Sequence, residues 1–440
     1  MFNFDNVTEK FLRYVKIDTQ SDDNSESFPS TEKQHNLAKL LAEELKQMGA
    51  SDVAYDREHC YVYAKIPSNY EEHENHEEHG KPEKCGDGGE RNLKGGIGFI
   101  AHMDTSPEMS GTNVRPNIVK NYDGGDILLG RDAGGKEYVL SPAVFSELKN
   151  YIGQDLITTD GNTLLGADDK AGVAEIMTMA EYLLKNPQIK HETVCIAFTP
   201  DEEVGRGTDY FNTEQFGAKY AYTVDGGGVG ELEYENFNAA EARLEFMGQS
   251  VHPGEAKDKM INAARLAAEF DMRLPQQERP EKTCGYEGFY HLTQISGDVE
   301  SAVSKYIIRD HDREKFEDKK EAVLSLADKM NKEYGRICVE AQIKDQYYNM
   351  KEKLKDAMFL VEDAARYMEE LGITPEVCPI RGGTDGAKLS YMGIPCPNIC
   401  TGGHNYHGRY EYCCIQSMEK ISELLVRLAA GYKGNNKSDR

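Results

Sequence analysis

Four apolar runs in this chain end directly in acidic residues or a histidine, and this recurrence constrains the fold more than any other feature. Residues 97–101 stop at His102-Met103-Asp104, and 194–198 lead to Asp201-Glu202-Glu203. Residues 220–224 stop at Asp225-Gly226-Gly227-Gly228. A shorter run, Thr163-Leu164-Leu165, stops at Gly166-Ala167-Asp168-Asp169-Lys170-Ala171-Gly172. The three longer runs suit strands buried on both faces of a parallel sheet, while residues 171–184 carry a helical period. In open α/β sheets, ligands bind beyond the carboxyl ends of the strands. The four polar clusters are therefore expected on one rim.

The flanking segments fit such a sheet. Thr31 with Gln34 predicts a capping box ahead of Leu37, Leu41, Leu45 and Met48, a stripe that stops at Gly49. From about residue 239 to 346 the pattern changes to strand, helix, two strands, helix and strand. That is the β-α-β-β-α-β order of a ferredoxin-like unit. After residue 352 the alternation of helix and strand returns, so a second domain is expected to be inserted into the first. The stretch 71–90 is acidic and His-rich. Such tracts bind metal in some proteins, but its polarity favours a solvated loop.

Composition excludes several classes. Lys and Arg number 51 against 76 Asp and Glu, and the net charge of −25 disfavours nucleic acid and anionic membranes as partners. No run approaches the ~20 apolar residues of a membrane helix. The start Met1-Phe2-Asn3-Phe4-Asp5 lacks the basic and apolar parts of a secretory signal. The ten cysteines, including adjacent Cys413-Cys414, have no zinc-ribbon spacing. A soluble, cytosolic chain with reduced thiols is expected.

Each polar cluster alone has an ordinary reading. Asp168-Asp169 suits a helix cap, Glu202-Glu203 a solvated turn, and His102 a polar strand end. Gathered on one rim, however, these carboxylates repel unless cations neutralise them. Two divalent ions with two neutral histidines, three carboxylates and one hydroxide form a balanced set. Such a pair activates water and polarises a carbonyl, and a further carboxylate is then needed to move the proton.

His102-Met103-Asp104-Thr105, the stretch from Gly166 to Gly172, Pro200-Asp201-Glu202-Glu203, Val224-Asp225 and Arg381-Gly382-Gly383-Thr384-Asp385-Gly386 together resemble the tripeptide aminopeptidases. These belong to the co-catalytic zinc exopeptidase family, with carboxypeptidase G and succinyl-diaminopimelate desuccinylase. The resemblance runs from the first helix to the last. It implies an α/β zinc-exopeptidase catalytic domain, 1–237 and 351–440, with a mostly parallel mixed sheet flanked by helices. The ferredoxin-like α+β domain is inserted at 238–350.

The resemblance also implies roles. His102 and Asp225 would bind the first zinc, and Asp104 would orient the His102 ring. Asp168, two before the Lys matched by Lys170, would bridge both zinc ions, with a cis peptide to Asp169. Glu202 would be the general base and Glu203 a ligand of the second zinc. His407, followed four residues on by Glu411, would complete it, whereas His404 lacks such a partner and ranks as structural or substrate-side. His252, within Ser250-Val251-His252-Pro253-Gly254, would steady the oxyanion, and Asn262 would add a contact. Arg381 would hold the peptide's C-terminal carboxylate in bidentate fashion.

The function implied is release of the N-terminal residue from tripeptides, with two Zn²⁺ per subunit and Co²⁺ or Mn²⁺ as substitutes. Short peptides are the implied partners, with a homodimer through the inserted domain. A dipeptidase or an N-acyl-amino-acid amidohydrolase with the same ions is the alternative. A non-catalytic metal-binding protein built on the His-rich stretch is the reading of a different class.

Overall fold

A computed structural model describes residues 4, 6–70, 96–132 and 134–432, and the acidic His-rich stretch 71–90 lies outside them. The chain divides into two compact units. One comprises Met1–Glu233, Lys353–Val377 and Leu389–Arg440, the other Tyr234–Glu352 and Cys378–Lys388.

In chain order, the first unit supplies β1 (Ser51–Tyr55), β2 (Val62–Ile66), β3 (Gly96–His102), β4 (Val194–Thr199), β5 (Ala218–Gly226) and β6 (Glu231–Glu233). The second supplies β7 (Asn238–Met247), β8 (Phe289–Gly297), β9 (Ser301–Asp310) and β10 (Val339–Tyr347). Then β11 (Glu376–Val377) and β12 (Asn398–Cys400) return to the first. The helices used below are α1 (Asn6–Tyr14), α2 (Gln34–Met48), α3 (Ala167–Lys185), α4 (Ala263–Arg273), α5 (Arg313–Tyr334) and α6 (Ile415–Gly431).

The first unit is built on an eight-stranded sheet ordered β1-β2-β4-β3-β5-β12-β6-β11. Its centre, β4, β3, β5 and β12, pairs in parallel, while β1–β2, β2–β4 and β12–β6 pair antiparallel. Every residue of β3 and β4 is buried, as two-sided coverage by helices requires. α3 packs on β3 and β5, and α1 and α6 pack on α3.

One local expectation fails, and the short apolar run stands apart from the other three. Thr163-Leu164-Leu165 does not form a strand. The Leu164 N–H donates to Ser110 O at 3.1 Å and the Leu165 N–H to the Glu411 carboxylate at 2.7 Å, so no ladder claims them. The capping box of α2 does not form either: its first flanking residue is Lys33, without a side-chain cap. Thr31 Oγ1 instead donates to Gln20 O, and the Gln34 amide reaches Asp201. The far end of α2 behaves as expected, with Gly49 at φ 92° and its N–H bonded to Leu45 O and Lys46 O.

The second unit carries a four-stranded antiparallel sheet ordered β8-β9-β7-β10, the ferredoxin-like arrangement of a β-α-β-β-α-β chain. β9 alternates buried and half-buried residues, and α4 and α5 cover the buried face. The core joins Phe246, Phe270, Tyr306, Phe316, Val323 and Met330. Residues Cys378–Lys388 join this unit: the Ile380 N–H donates to Glu235 O at 2.8 Å, and Ile380 O lies 3.1 Å from His311 Nε2. Among the described residues, no helix is long and apolar enough to cross a membrane.

Phe270 is fully buried in this core. Phe270→Ala is expected to destabilise the second unit by about 3–5 kcal/mol, read as a lower urea midpoint with the fold of the first unit retained.

Candidate metal centre

The parallel register delivers the polar clusters together. His102, the last residue of β3, pairs with Thr199 of β4, and the Met103 N–H continues the ladder to Thr199 O at 2.8 Å. Residues 104 and 201–203 therefore leave the sheet side by side. β5, on the other side of β3, brings Asp225 to the same edge. α3 starts beneath them, and the Asp168–Asp169 peptide is cis. Gly172 allows this approach: a Cβ there would lie 1.9 Å from Val224 O and 2.5 Å from Asp169 Oδ1.

Two imidazoles and three carboxylates converge. His102 Nε2 lies 2.9 Å from Asp168 Oδ1 and 3.3 Å from Asp225 Oδ1. His407 Nε2 lies 3.2 Å from Asp168 Oδ2 and 3.0 Å from Glu203 Oε2. The two oxygens of Asp168 thus face two different ligand groups. Donor atoms of His102, Asp168 and Glu203, and of His102, Asp169 and Asp225, come close enough to hold a metal ion. Glu203 Oε1 and Asp169 Oδ1 are buried with no hydrogen-bond partner among the described residues. Such oxygens are costly unless a cation or proton meets them.

Other carboxylates hold this arrangement by accepting peptide N–H groups. Asp104 lies 3.3 Å from His102 Nδ1 through Oδ1, and its two oxygens accept the Glu202 and Glu203 N–H groups at 3.0 and 3.2 Å. Asp169 Oδ2 accepts the His102 N–H at 3.1 Å. Glu411 accepts from the N–H groups of Leu165, Gly166 and Asp168 at 2.7, 2.8 and 3.1 Å. No bond from Glu411 to His407 accompanies these: the spacing that draws attention to the pair reflects a carboxylate anchoring the Asp168 turn. Nothing in the local sequence signals that, because the partners lie some 245 positions away.

Burial and the mutual repulsion of neighbouring acids shape the electrostatics of the site. Burial raises the carboxyls of Glu203 to about 8 and of Asp225 to about 6. Burial opposes a proton on His102, yet Asp225, Asp104 and Asp168 carry its ring well above the usual range. Hydrogen bonds to Asp168 and Glu203 raise His407 to about 11. The donor set of two imidazoles and three carboxylates fits two divalent ions, whose charge would balance these acids. His404 stands apart from this set. Its Nε2 lies 2.5 Å from Tyr151 Oη, its ring stacks on Tyr412 at 4.9 Å, and burial lowers it to about 4.

The remaining candidates lie in the second unit. His252 is exposed, and its Nδ1 accepts the Gly254 N–H at 3.2 Å. Asn262 caps α4, accepting the Arg265 N–H at 3.1 Å. The Arg381 guanidinium donates to Gly285 O at 2.6 Å, Glu287 O at 3.1 Å and Thr283 Oγ1 at 3.0 Å, over the rings of Phe237 and Phe289. In this conformation its donors serve the 283–287 loop.

Glu411→Gln is expected to weaken binding of divalent ions by about 10–100-fold, because an amide N–H₂ then faces a peptide N–H of the Asp168 turn. Metal titration of the purified variant against the parent checks this.

Residues 234–338 match the peptidase dimerisation domain family. The fold is shared with an aminopeptidase PepT from Bacillus cereus (TM-score 0.72, 22 % identity, 97 % of this chain and 98 % of that one). It is shared also with a tripeptidase from Staphylococcus aureus (TM-score 0.73, 19 % identity, 98 % of each chain). A Bacillus subtilis protein described as a dinuclear metal binding peptidase of the M20 family aligns with a TM-score of 0.61 at 12 % identity, over 97 % of this chain and 98 % of that one. Much closer in sequence is peptidase T of Alkaliphilus oremlandii, 52 % identical over 97 % of this chain and 99 % of the relative. Peptidase T of Clostridium acetobutylicum is 54 % identical over 97 % and 98 %. With relatives this similar over nearly its whole length, the chain belongs to the peptidase T family.

Proposed function

We propose that this chain is a metal-dependent aminopeptidase that releases the N-terminal residue of tripeptides, working with two Zn²⁺ for which Co²⁺ or Mn²⁺ can substitute. One observation carries the reading: the Asp168 carboxylate faces His102 with one oxygen and His407 with the other. In this reading His102 and Asp225 would hold one ion, His407 and Glu203 the other, and Asp168 would serve both. Two ions so held would supply an activated water and a polarised carbonyl.

The chain's own groups perform the rest. Asp104 keeps the His102 ring oriented and, through its second task at the Glu202 and Glu203 N–H groups, fixes the turn that carries the base. The Glu202 carboxylate takes the proton of the attacking water and returns it to the leaving amine. His252 steadies the oxyanion with the imidazole nitrogen that Gly254 leaves unused, and Asn262 adds a contact to substrate. Arg381 exchanges its bonds to the 283–287 carbonyls for the peptide's C-terminal carboxylate, a charge-assisted pairing stronger than those to neutral carbonyls. Holding that far end sets the length selection, since a longer peptide places the wrong bond at the centre. The match to a dimerisation domain supports a homodimer formed through the second unit.

Glu202→Ala is expected to keep the bound metal while kcat falls by about 10²–10⁴-fold, the usual contribution of a general base. Metal analysis with a tripeptide assay reads both, and full turnover would contradict the role. Arg381→Ala is expected to raise KM for tripeptides by about 10–100-fold and to flatten the preference among di-, tri- and tetrapeptides. Side-by-side hydrolysis, with an acetylated amino acid included, measures that preference. The same assay separates the aminopeptidase from a dipeptidase or an N-acyl-amino-acid amidohydrolase.

A further inference from the structure

Asp201 is fully buried next to the proposed base and belongs to none of the candidate ligand groups. Its φ of 54° puts it in the left-handed region, where the chain reverses between β4 and Glu202. Its carboxylate is saturated by one segment: the Ser30 N–H donates to Oδ2 at 2.6 Å, and Ser30 Oγ and Gln34 Nε2 donate to Oδ1 at 2.5 and 2.6 Å. The Asp201 N–H returns a bond to Gln34 Oε1 at 3.2 Å. Asp201 and its α2-side partners thus form a closed, buried hydrogen-bond cluster.

The segment that supplies these donors is tied at its other end to the loop after β3. Thr31 Oγ1 donates to Gln20 O, and Gln20 Nε2 donates to Ser106 O and Met109 O at 3.2 and 2.9 Å. The Ser21 N–H donates to Thr105 O at 3.0 Å. Residues 20–34 therefore strap the loop after His102 to the turn carrying Glu202 and Glu203. Asp104 grips that turn by the Glu202 and Glu203 N–H groups, and Asp201 grips it through the strap.

We propose that Asp201 is a positioning residue for Glu202, with Ser30 and Gln34 as its anchors, and that the 20–34 strap sets where the base stands relative to the metal ligands. This rests on the reading of Glu202 as proton carrier. The geometry needs two acceptor oxygens at 201: in Asp201→Asn, an amide N–H₂ must face either the Ser30 N–H or the Gln34 N–H₂. A base displaced by about 1 Å loses on the order of 10²-fold in rate.

The test uses the full-length, zinc-loaded protein with a tripeptide substrate. Asp201→Asn is expected to lower kcat by about 10–100-fold, with KM and zinc per chain within twofold of the parent. Ser30→Ala, which removes one donor and leaves the peptide N–H in place, is expected to give a smaller fall of the same kind. In the Glu202→Ala background, Asp201→Asn is expected to add no further loss, because nothing remains to be positioned. Parental kcat in both Asp201→Asn and Ser30→Ala would overturn the proposal. So would loss of zinc in step with kcat, or losses that multiply in the double variant, since either marks a purely structural residue. Full activity in Glu202→Ala itself would instead overturn the role of the base, so the two failures are distinguishable.

Discussion

The geometry of the centre depends on one carboxylate shared by two imidazoles. Asp168 Oδ1 lies 2.9 Å from His102 Nε2 and Oδ2 lies 3.2 Å from His407 Nε2, so a group only one carboxyl wide spaces the two halves of the site. Asp225 and Glu203 complete opposite sides of that bridge. Moving Asp168 would separate the halves, and the remaining groups would be isolated buried charges. The close packing of Gly172 against Val224 O holds the start of α3 under β5 and keeps the bridge in place.

Burying so much negative charge is costly, and the protein offsets the cost in a consistent way. Carboxylates outside the ligand set accept peptide N–H groups from the segments that carry the ligands. Glu411 takes three from the Asp168 turn, Asp104 two from the Glu202 turn, and Asp169 the N–H of His102. Peptide donors carry no net charge, so they steady these carboxylates without neutralising the field that draws cations to the centre. The raised carboxyls of Glu203 and Asp225 and the raised ring of His407 are the remaining imbalance. Divalent ions relieve it where protons do so only by blocking the ligand atoms.

The unbroken apolar character of β3, β4 and β5 predicted buried parallel strands, and the sheet order then puts His102, Asp201 to Glu203, and Asp225 on one edge. The order of elements in the inserted region predicted the ferredoxin-like sheet, because alternation on strands and stripes on helices are local signals. Thr163-Leu164-Leu165 is too short to read as a strand, and it forms a buried loop whose N–H groups Ser110 O and the distant Glu411 carboxylate take. Thr31 and Gln34 misled: their side chains suit a capping box, but Gln20 and Asp201 are the partners they take.

By itself, the sequence determined which residue types stand at each strand end, the periodicities that make those strands and helices, and the surplus of acid over base. Those properties depend on neighbours a few positions apart, where backbone geometry alone sets what faces what. The pairing of Glu411 with the Asp168 turn, of Asp201 with Ser30 and Gln34, and of both Asp168 oxygens with separate imidazoles was decided only in three dimensions. Each joins segments more than a hundred and fifty residues apart or shares one group between two partners. Chain spacing carries no information about such contacts, because they exist only once the sheet has set which loops meet.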